Sequence, residues 1–209
     1  MAYAQRVIFF VFCVSVSFGQ RAPQSLFDSV AVTAEQEMRI LALDTITIKT
    51  QAEREELAML FASTKRFEYS FELLSVLCEE YPDNFDYQFL YGGVSGILAS
   101  ELPRVKSLPY VRAMKIAFEA AARLKPDALD IQIVLLQLYT ELPWVLGGSN
   151  KKATQVLEIV KSLSVIEGFL AEGYFYRSTK KNKEALLAYL NAVNEIQSCN
   201  QDVEMSIDS

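Results

Sequence analysis

The sequence predicts an all-α fold in which antiparallel helix pairs stack as a short solenoid. The first observation is a set of small and aromatic residues near the C-terminus, spaced so that two antiparallel helices can pack closely. These residues are Gly173, Tyr176, Ala185, Tyr189 and Ala192. The second observation is that Pro82 and Pro126 each follow an apolar helical pattern. Proline lacks the N–H donor that a helix needs and restricts the residue before it, so both prolines are expected to close a helix pair.

The N-terminal residues 1–19 have the layout of a secretory signal peptide. One basic residue, Arg6, precedes the apolar run 7–14, and the small residues Ser17 and Gly19 precede residue 20. The apolar run is shorter than the roughly 20 residues that a membrane span requires. We therefore expect cleavage, with a permanent membrane anchor as the alternative. The mature chain is expected to be exported to the periplasm or the extracellular space, with no permanent membrane span.

Charge and composition limit the classes of partner and of chemistry. The sequence has 26 Asp and Glu against 20 Lys and Arg, a net charge of −6, and loss of Arg6 with residues 1–19 changes this to −7. Such a chain has no general attraction to nucleic acid. It contains no histidine, so the usual general base and the commonest zinc ligand are missing. We expect no catalytic residues, no metal site and no cofactor. Cys78 lies on an apolar helix face and is expected to be buried as a small hydrophobic residue.

The two prolines divide residues 51–197 into about four helix pairs. The first pair precedes Pro82 and the second precedes Pro126, while the third runs from Leu129 to Val160. The fourth contains the small and aromatic residues described above, and its close packing predicts that Gly173 and Ala185 face each other.

Two such helices and their turns need about 34 residues. The second pair is longer than this by roughly ten residues, around residues 100–110. Pro103 and Pro109 lie in this stretch, and they argue against a continuous helix there. The same region carries several basic residues, which we interpret as solvated helix surface, with a docking patch for an acidic partner as the alternative. These residues are Arg104, Lys106, Arg112 and Lys115.

The third pair contains an extra loop, residues 141–150. Its paired glycines permit positive φ angles, and Ser149 or Asn150 can cap the following helix. The glycines lack the spacing of a phosphate-binding loop, so a structural turn is favoured. Trp144 is expected to pack this loop onto the helices, with a contact to a partner as the alternative.

The two ends of the domain are less regular. Within residues 20–50 we expect an extended lead or a capping helix, which could begin after Thr33, although residues 45–48 alternate like a strand. Residues 198–209 are polar and acidic and are expected to form a flexible tail.

The spacing at Gly173, Tyr176 and Ala185 resembles that of the tetratricopeptide repeat, whose helix pairs recur about every 34 residues. With the loop at 141–150, the chain is similar to exported bacterial tetratricopeptide-like proteins of undefined activity. The resemblance covers about residues 50–195. It implies a right-handed superhelix in which the first helix of each pair lines a concave groove.

The family's groove positions fall on a mixed apolar and aromatic set of residues with few charges. The basic clamp with which some members grip C-terminal carboxylates is missing, because Glu55 and Met59 occupy two of its positions. The groove positions that the resemblance implies are Glu55, Met59, Phe89, Ile133, Gln137, Leu170, Tyr174 and Arg177.

The sequence is therefore interpreted as an exported, non-catalytic tetratricopeptide-like scaffold. It is expected to bind a peptide or protein partner in its groove, with Trp144 as a further contact. The alternative is a small-ligand or lipid-binding helical protein of the cell envelope. A long open groove would favour the first function, and an enclosed cavity of several hundred Å³ the second.

The first prediction concerns processing. The exported protein should begin at Gln20 or within a few residues of it, because Ser17 and Gly19 supply the small side chains that precede a signal-peptide cut. Intact-mass measurement of the exported protein checks this. Recovery of a chain that still begins at Met1 or Ala2 would show that the segment is retained.

Overall fold

The structure is a computed structural model that describes the backbone of residues 32–207 and the side chains of residues 32–198. This part of the chain forms nine α-helices and a short 3-10 turn, and it contains no β-strand, which confirms the predicted all-α fold. The signal-peptide prediction lies outside the described residues. In chain order the helices are α1 (Ala34–Asp44), α2 (Gln51–Ser63), α3 (Phe67–Glu80), α4 (Phe85–Glu101), α5 (Arg104–Leu124), α6 (Leu129–Glu141), α7 (Asn150–Leu163), α8 (Val165–Ser178) and α9 (Asn182–Ile207).

The chain divides into two compact units. Unit 1 ends at Leu124 and contains α1 to α5, and unit 2 begins at Lys125 and contains α6 to α9. In unit 1, α2 pairs with α3 and α4 with α5, whereas in unit 2 α6 pairs with α7 and α8 with α9. Short connections between the members of each pair make them antiparallel neighbours.

The core of unit 1 consists of two apolar clusters. One of them joins α2, α3 and α4, and its largest side chains include Phe67, Leu74, Leu77 and Tyr87. The other joins α1 to α2 through four buried side chains. They are Ile40, Leu43, Leu57 and Phe61. The apolar side of α2 therefore lies between α3 and α1.

Helix α1 occupies the position expected of a capping helix. The hydroxyl of Thr33 accepts a hydrogen bond from the backbone N–H of Gln36, and the Gln36 side chain bonds back to Thr33 in a reciprocal capping box. Two ion pairs tie α1 to the first helix pair, Arg39 with Glu56 at 2.6 Å and Arg66 with Glu37 at 2.6 Å. Residues 45–48 form no strand, so their alternating pattern reflects a turn between two helices.

A glycine opposite an aromatic ring sets the spacing of two helix pairs. A Cβ atom at Gly92 would lie 2.6 Å from ring carbons of Phe118, and one at Gly173 would lie 2.5 Å from the ring of Tyr189. Real Cβ atoms do not approach that closely, so each ring occupies space that only glycine leaves. The side chain nearest to a Cβ at Gly173 is therefore that of Tyr189, and the expectation that Ala185 also faces Gly173 stays a prediction.

The closing prolines also take part in a recurring hydrogen bond. The amide of Gln88 donates to the carbonyl of Pro82 at 3.2 Å, and that of Gln132 donates to the carbonyl of Pro126 at 2.8 Å. Both glutamines are buried, where an amide needs such a partner. In each unit this bond fixes the turn ahead of the first helix of a pair.

The extra residues in the second pair lengthen its helices instead of forming a loop. Helix α4 has 17 residues and α5 has 21, and only Leu102 and Pro103 separate them. Pro109 lies inside α5, which corrects the expectation of a break there. Its missing N–H would have served the carbonyl of Val105, and water can serve that carbonyl because Val105 lies on an exposed part of the helix. The next residue, Tyr110, packs its ring edge-on against Phe71 of α3, with centroids 5.0 Å apart.

The C-terminal segment also differs from expectation. Helix α9 continues to Ile207, so most of the segment expected to be a flexible tail is helical. None of the helices described is long and apolar enough to cross a membrane.

Candidate functional site

An open groove of about 440 Å³ lies along α2 in unit 1, next to α1. We call it the α1–α2 groove. Its lining residues are Gln36 of α1 and, from α2, Ala52, Glu55, Glu56, Met59, Leu60 and Ser63.

The spacing of residues along α2 creates this groove. The lining positions recur three and four residues apart from Ala52 to Ser63, so they share one face of the helix. The opposite face buries Leu57, Ala58 and Phe61. At one end, the amide of Gln36 donates a hydrogen bond to the Ser63 hydroxyl at 3.4 Å and links the two helices.

The two carboxylates of the groove have different partners. Arg39 donates to Glu56 through two hydrogen bonds of 2.6 and 2.7 Å, and this pairing lowers the pKa of Glu56. Glu55 accepts a hydrogen bond of 2.8 Å from the hydroxyl of Tyr87. Tyr87 in turn accepts one of 2.9 Å from the amide of Gln51. Burial raises the pKa of Tyr87, so its hydroxyl stays protonated as a donor.

Of the groove positions that the resemblance implies, Glu55 and Met59 line this groove, and Met59 is 41% exposed. Phe89 and Gln137 are only 9% and 6% exposed. Phe89 packs between Phe85 and Phe118, with ring centroids 5.6 and 5.9 Å away. Both residues are therefore core residues, which corrects their assignment to a groove. The reason is that α4 and α6 are buried on more than one side, so the family's groove positions do not all face solvent here.

Tyr174 and Arg177 lie together on α8 in unit 2. The hydroxyl of Tyr174 donates to the Glu141 carboxylate at 2.6 Å, and burial is the main cause of the raised pKa of Tyr174. The guanidinium of Arg177 lies 6.0 Å from the centre of the Tyr174 ring. Tyr174 is thus engaged with α6, while Arg177 is exposed.

Trp144 stands out from the loop of unit 2. It is 83% exposed, so the expectation that it packs the loop onto the helices is wrong. Hydrogen bonds of Ser149 hold the base of the loop in place. Gly147 has the positive φ of 99°, Ser149 caps α7 by accepting from the N–H of Lys152, and its own N–H donates to the carbonyl of Tyr139 at 2.8 Å.

Cys78 lies in the core, and three of the basic residues of α5 lie on the surface. Cys78 is buried, and burial raises the pKa of its thiol to about 12, which makes it unreactive near neutral pH. Arg104, Lys106 and Arg112 are exposed along α5. Within residues 32–198 no cluster of Cys, Asp and Glu side chains could hold a metal ion.

Two solved structures are similar to this chain. One is described as MamA MSR-1 C2, with a TM-score of 0.56 and 14% identity, covering 95% of this chain and 97% of that one. The other is TTC0263, a thermophilic TPR protein of Thermus thermophilus, with a TM-score of 0.54, 18% identity and coverage of 83% and 86%. The fold is that of tetratricopeptide repeat proteins. No protein-family model matches the chain, and the search of curated proteins found no match.

The groove positions that the resemblance implies include Glu55 and Met59 of the α1–α2 groove, but two further parts of this groove were not predicted. Gln36 and Ser63 close one end of it, and Tyr87 holds Glu55 from another helix. The repeat at three and four residues along α2 was the available signal for Ser63. No local pattern connects Tyr87 with Glu55, because they are distant in sequence.

The second prediction separates core from groove. Phe89→Ala should lower the free energy of unfolding by roughly 3–5 kcal/mol, because it leaves a cavity between two rings. Met59→Ala should change it by less than about 0.5 kcal/mol, because the side chain is already exposed. Chemical denaturation of the two variants measures both values. The reverse ranking would mean that the face of α2 described above is core.

Proposed function

We propose that the mature chain is an exported, non-catalytic tetratricopeptide-like scaffold that binds a peptide or protein segment in the α1–α2 groove. The observation that carries this proposal is the groove itself, which is open to solvent along one face of α2 and contains the exposed side chain of Met59. Export is supported by the signal-peptide layout of residues 1–19.

The shape of the groove favours a peptide over a lipid or a small ligand. A pocket that binds a small ligand usually encloses most of the ligand's surface. The α1–α2 groove is open on one side and mixes Ala52, Met59 and Leu60 with Glu55 and Glu56. A peptide suits such a surface, because it carries both apolar and polar groups.

The histidine and cysteine content of the chain also supports a scaffold. The sequence has no histidine, and Cys78, the cysteine among residues 32–198, is buried with the pKa of its thiol raised to about 12, which makes it unreactive near neutral pH. Trp144 and Arg177 are exposed in unit 2 and are candidates for a separate partner contact there.

The third prediction tests the location and class of the partner. A photo-cross-linking amino acid at Met59 should form adducts in cell-envelope extract that contain peptide, because this side chain lies in the groove. The same amino acid at Glu72 is the matched control, since Glu72 is exposed on α3 and lies outside the groove. Mass spectrometry of the digested adducts identifies what was attached. Lipid adducts at Met59, or equal peptide adducts at both positions, would contradict the proposal.

A further inference from the structure

We propose that the α1–α2 groove selects a segment that presents a lysine or arginine next to a large apolar side chain. This inference rests on the proposed function, because it names the chemistry of the segment that the same groove accepts. Three features of the groove support the inference: its charge, the fixed position of Glu55 and the apolar residues beside Glu55.

The groove retains an uncompensated negative charge. Glu55 and Glu56 belong to its lining, and no lysine or arginine does so among the described residues. Arg39 neutralises Glu56 through its two hydrogen bonds. Glu55 meets the neutral hydroxyl of Tyr87, and in the described part of the chain no cation lies within ion-pair distance of it. A cationic side chain of the bound segment would compensate this charge.

Glu55 is held in place before any partner arrives. Its hydrogen-bond partner Tyr87 is only 3% exposed and packs edge-on against the ring of Tyr81, with centroids 6.0 Å apart. Gln51 orients the Tyr87 hydroxyl with its own hydrogen bond. A carboxylate that is already oriented loses less side-chain entropy on binding. It also has about four lone-pair sites, so one hydrogen bond from Tyr87 leaves it able to accept from an ammonium or guanidinium group.

The apolar contact lies one helical turn away. Met59 follows Glu55 by four residues, so the two side chains are neighbours on the same face of α2. Leu60 and Ala52 extend the apolar surface on this face. Methionine adapts to side chains of different shapes, which suits a partner with a large apolar residue of no fixed type. An acidic segment is disfavoured, because like charges that meet at an interface repel each other.

The fourth prediction is tested by selecting a displayed library of random ten-residue peptides on the exported chain. Enriched peptides should carry lysine or arginine next to a large apolar residue. Glu55→Gln should weaken their binding about fivefold to tenfold, because it removes the charge of a groove carboxylate. Glu72→Gln is the matched control and should leave affinity unchanged. Binding should also weaken as salt concentration rises.

A second measurement does not depend on a variant. Replacing the cationic residue of an enriched peptide by norleucine should reduce its affinity for the unaltered protein by a similar factor. If enriched peptides lack a cation, or if Glu55→Gln and the norleucine peptide bind as well as their parents, the inference is overturned. The proposed function survives that result provided that Met59→Ala weakens the same peptides. If the selection enriches no peptide, both are overturned.

Discussion

The close approach of the two helices within a pair is the constraint on which the rest of this structure depends. At Gly92 and Gly173 an aromatic ring from the second helix of the pair lies where a Cβ atom would otherwise be. In the first pair, Ala58 and Ser70 serve the same purpose, since the buried Ser70 hydroxyl donates to the Ala58 carbonyl at 2.8 Å. Close pairing aligns one face of each helix with its partner and leaves the opposite face for a neighbouring helix or for solvent. On α2 part of that remaining face is the groove.

The sequence predicts the helix pairs well where packing depends on local spacing. The last pair is readable because small and aromatic residues recur at helical intervals, and the prolines at 82 and 126 mark where pairs begin and end. Pro109 is misleading, because a proline near the start of a long helix costs one hydrogen bond on an exposed side and does not stop the helix. The segment 198–209 was expected to be a flexible tail from its polarity and charge, yet helix α9 includes its residues up to Ile207.

The groove could be predicted only in part. The resemblance implied Glu55 and Met59, which line the groove. It also implied Phe89 and Gln137, which are buried, because burial of α4 and α6 depends on tertiary packing that family positions do not report. The Gln51–Tyr87–Glu55 hydrogen bonds join helices far apart in sequence. They support the proposed function because they hold the exposed Glu55 carboxylate as an oriented acceptor.

The most direct measurement is backbone-amide chemical-shift mapping of the exported chain, titrated with a cation-bearing peptide recovered by selection. We predict that the largest shifts fall on Gln36 and on the groove face of α2, from Ala52 to Ser63, with smaller shifts at Tyr87. Shifts concentrated around Trp144, or around Tyr174 and Arg177, would contradict it, because they would place the binding site in unit 2.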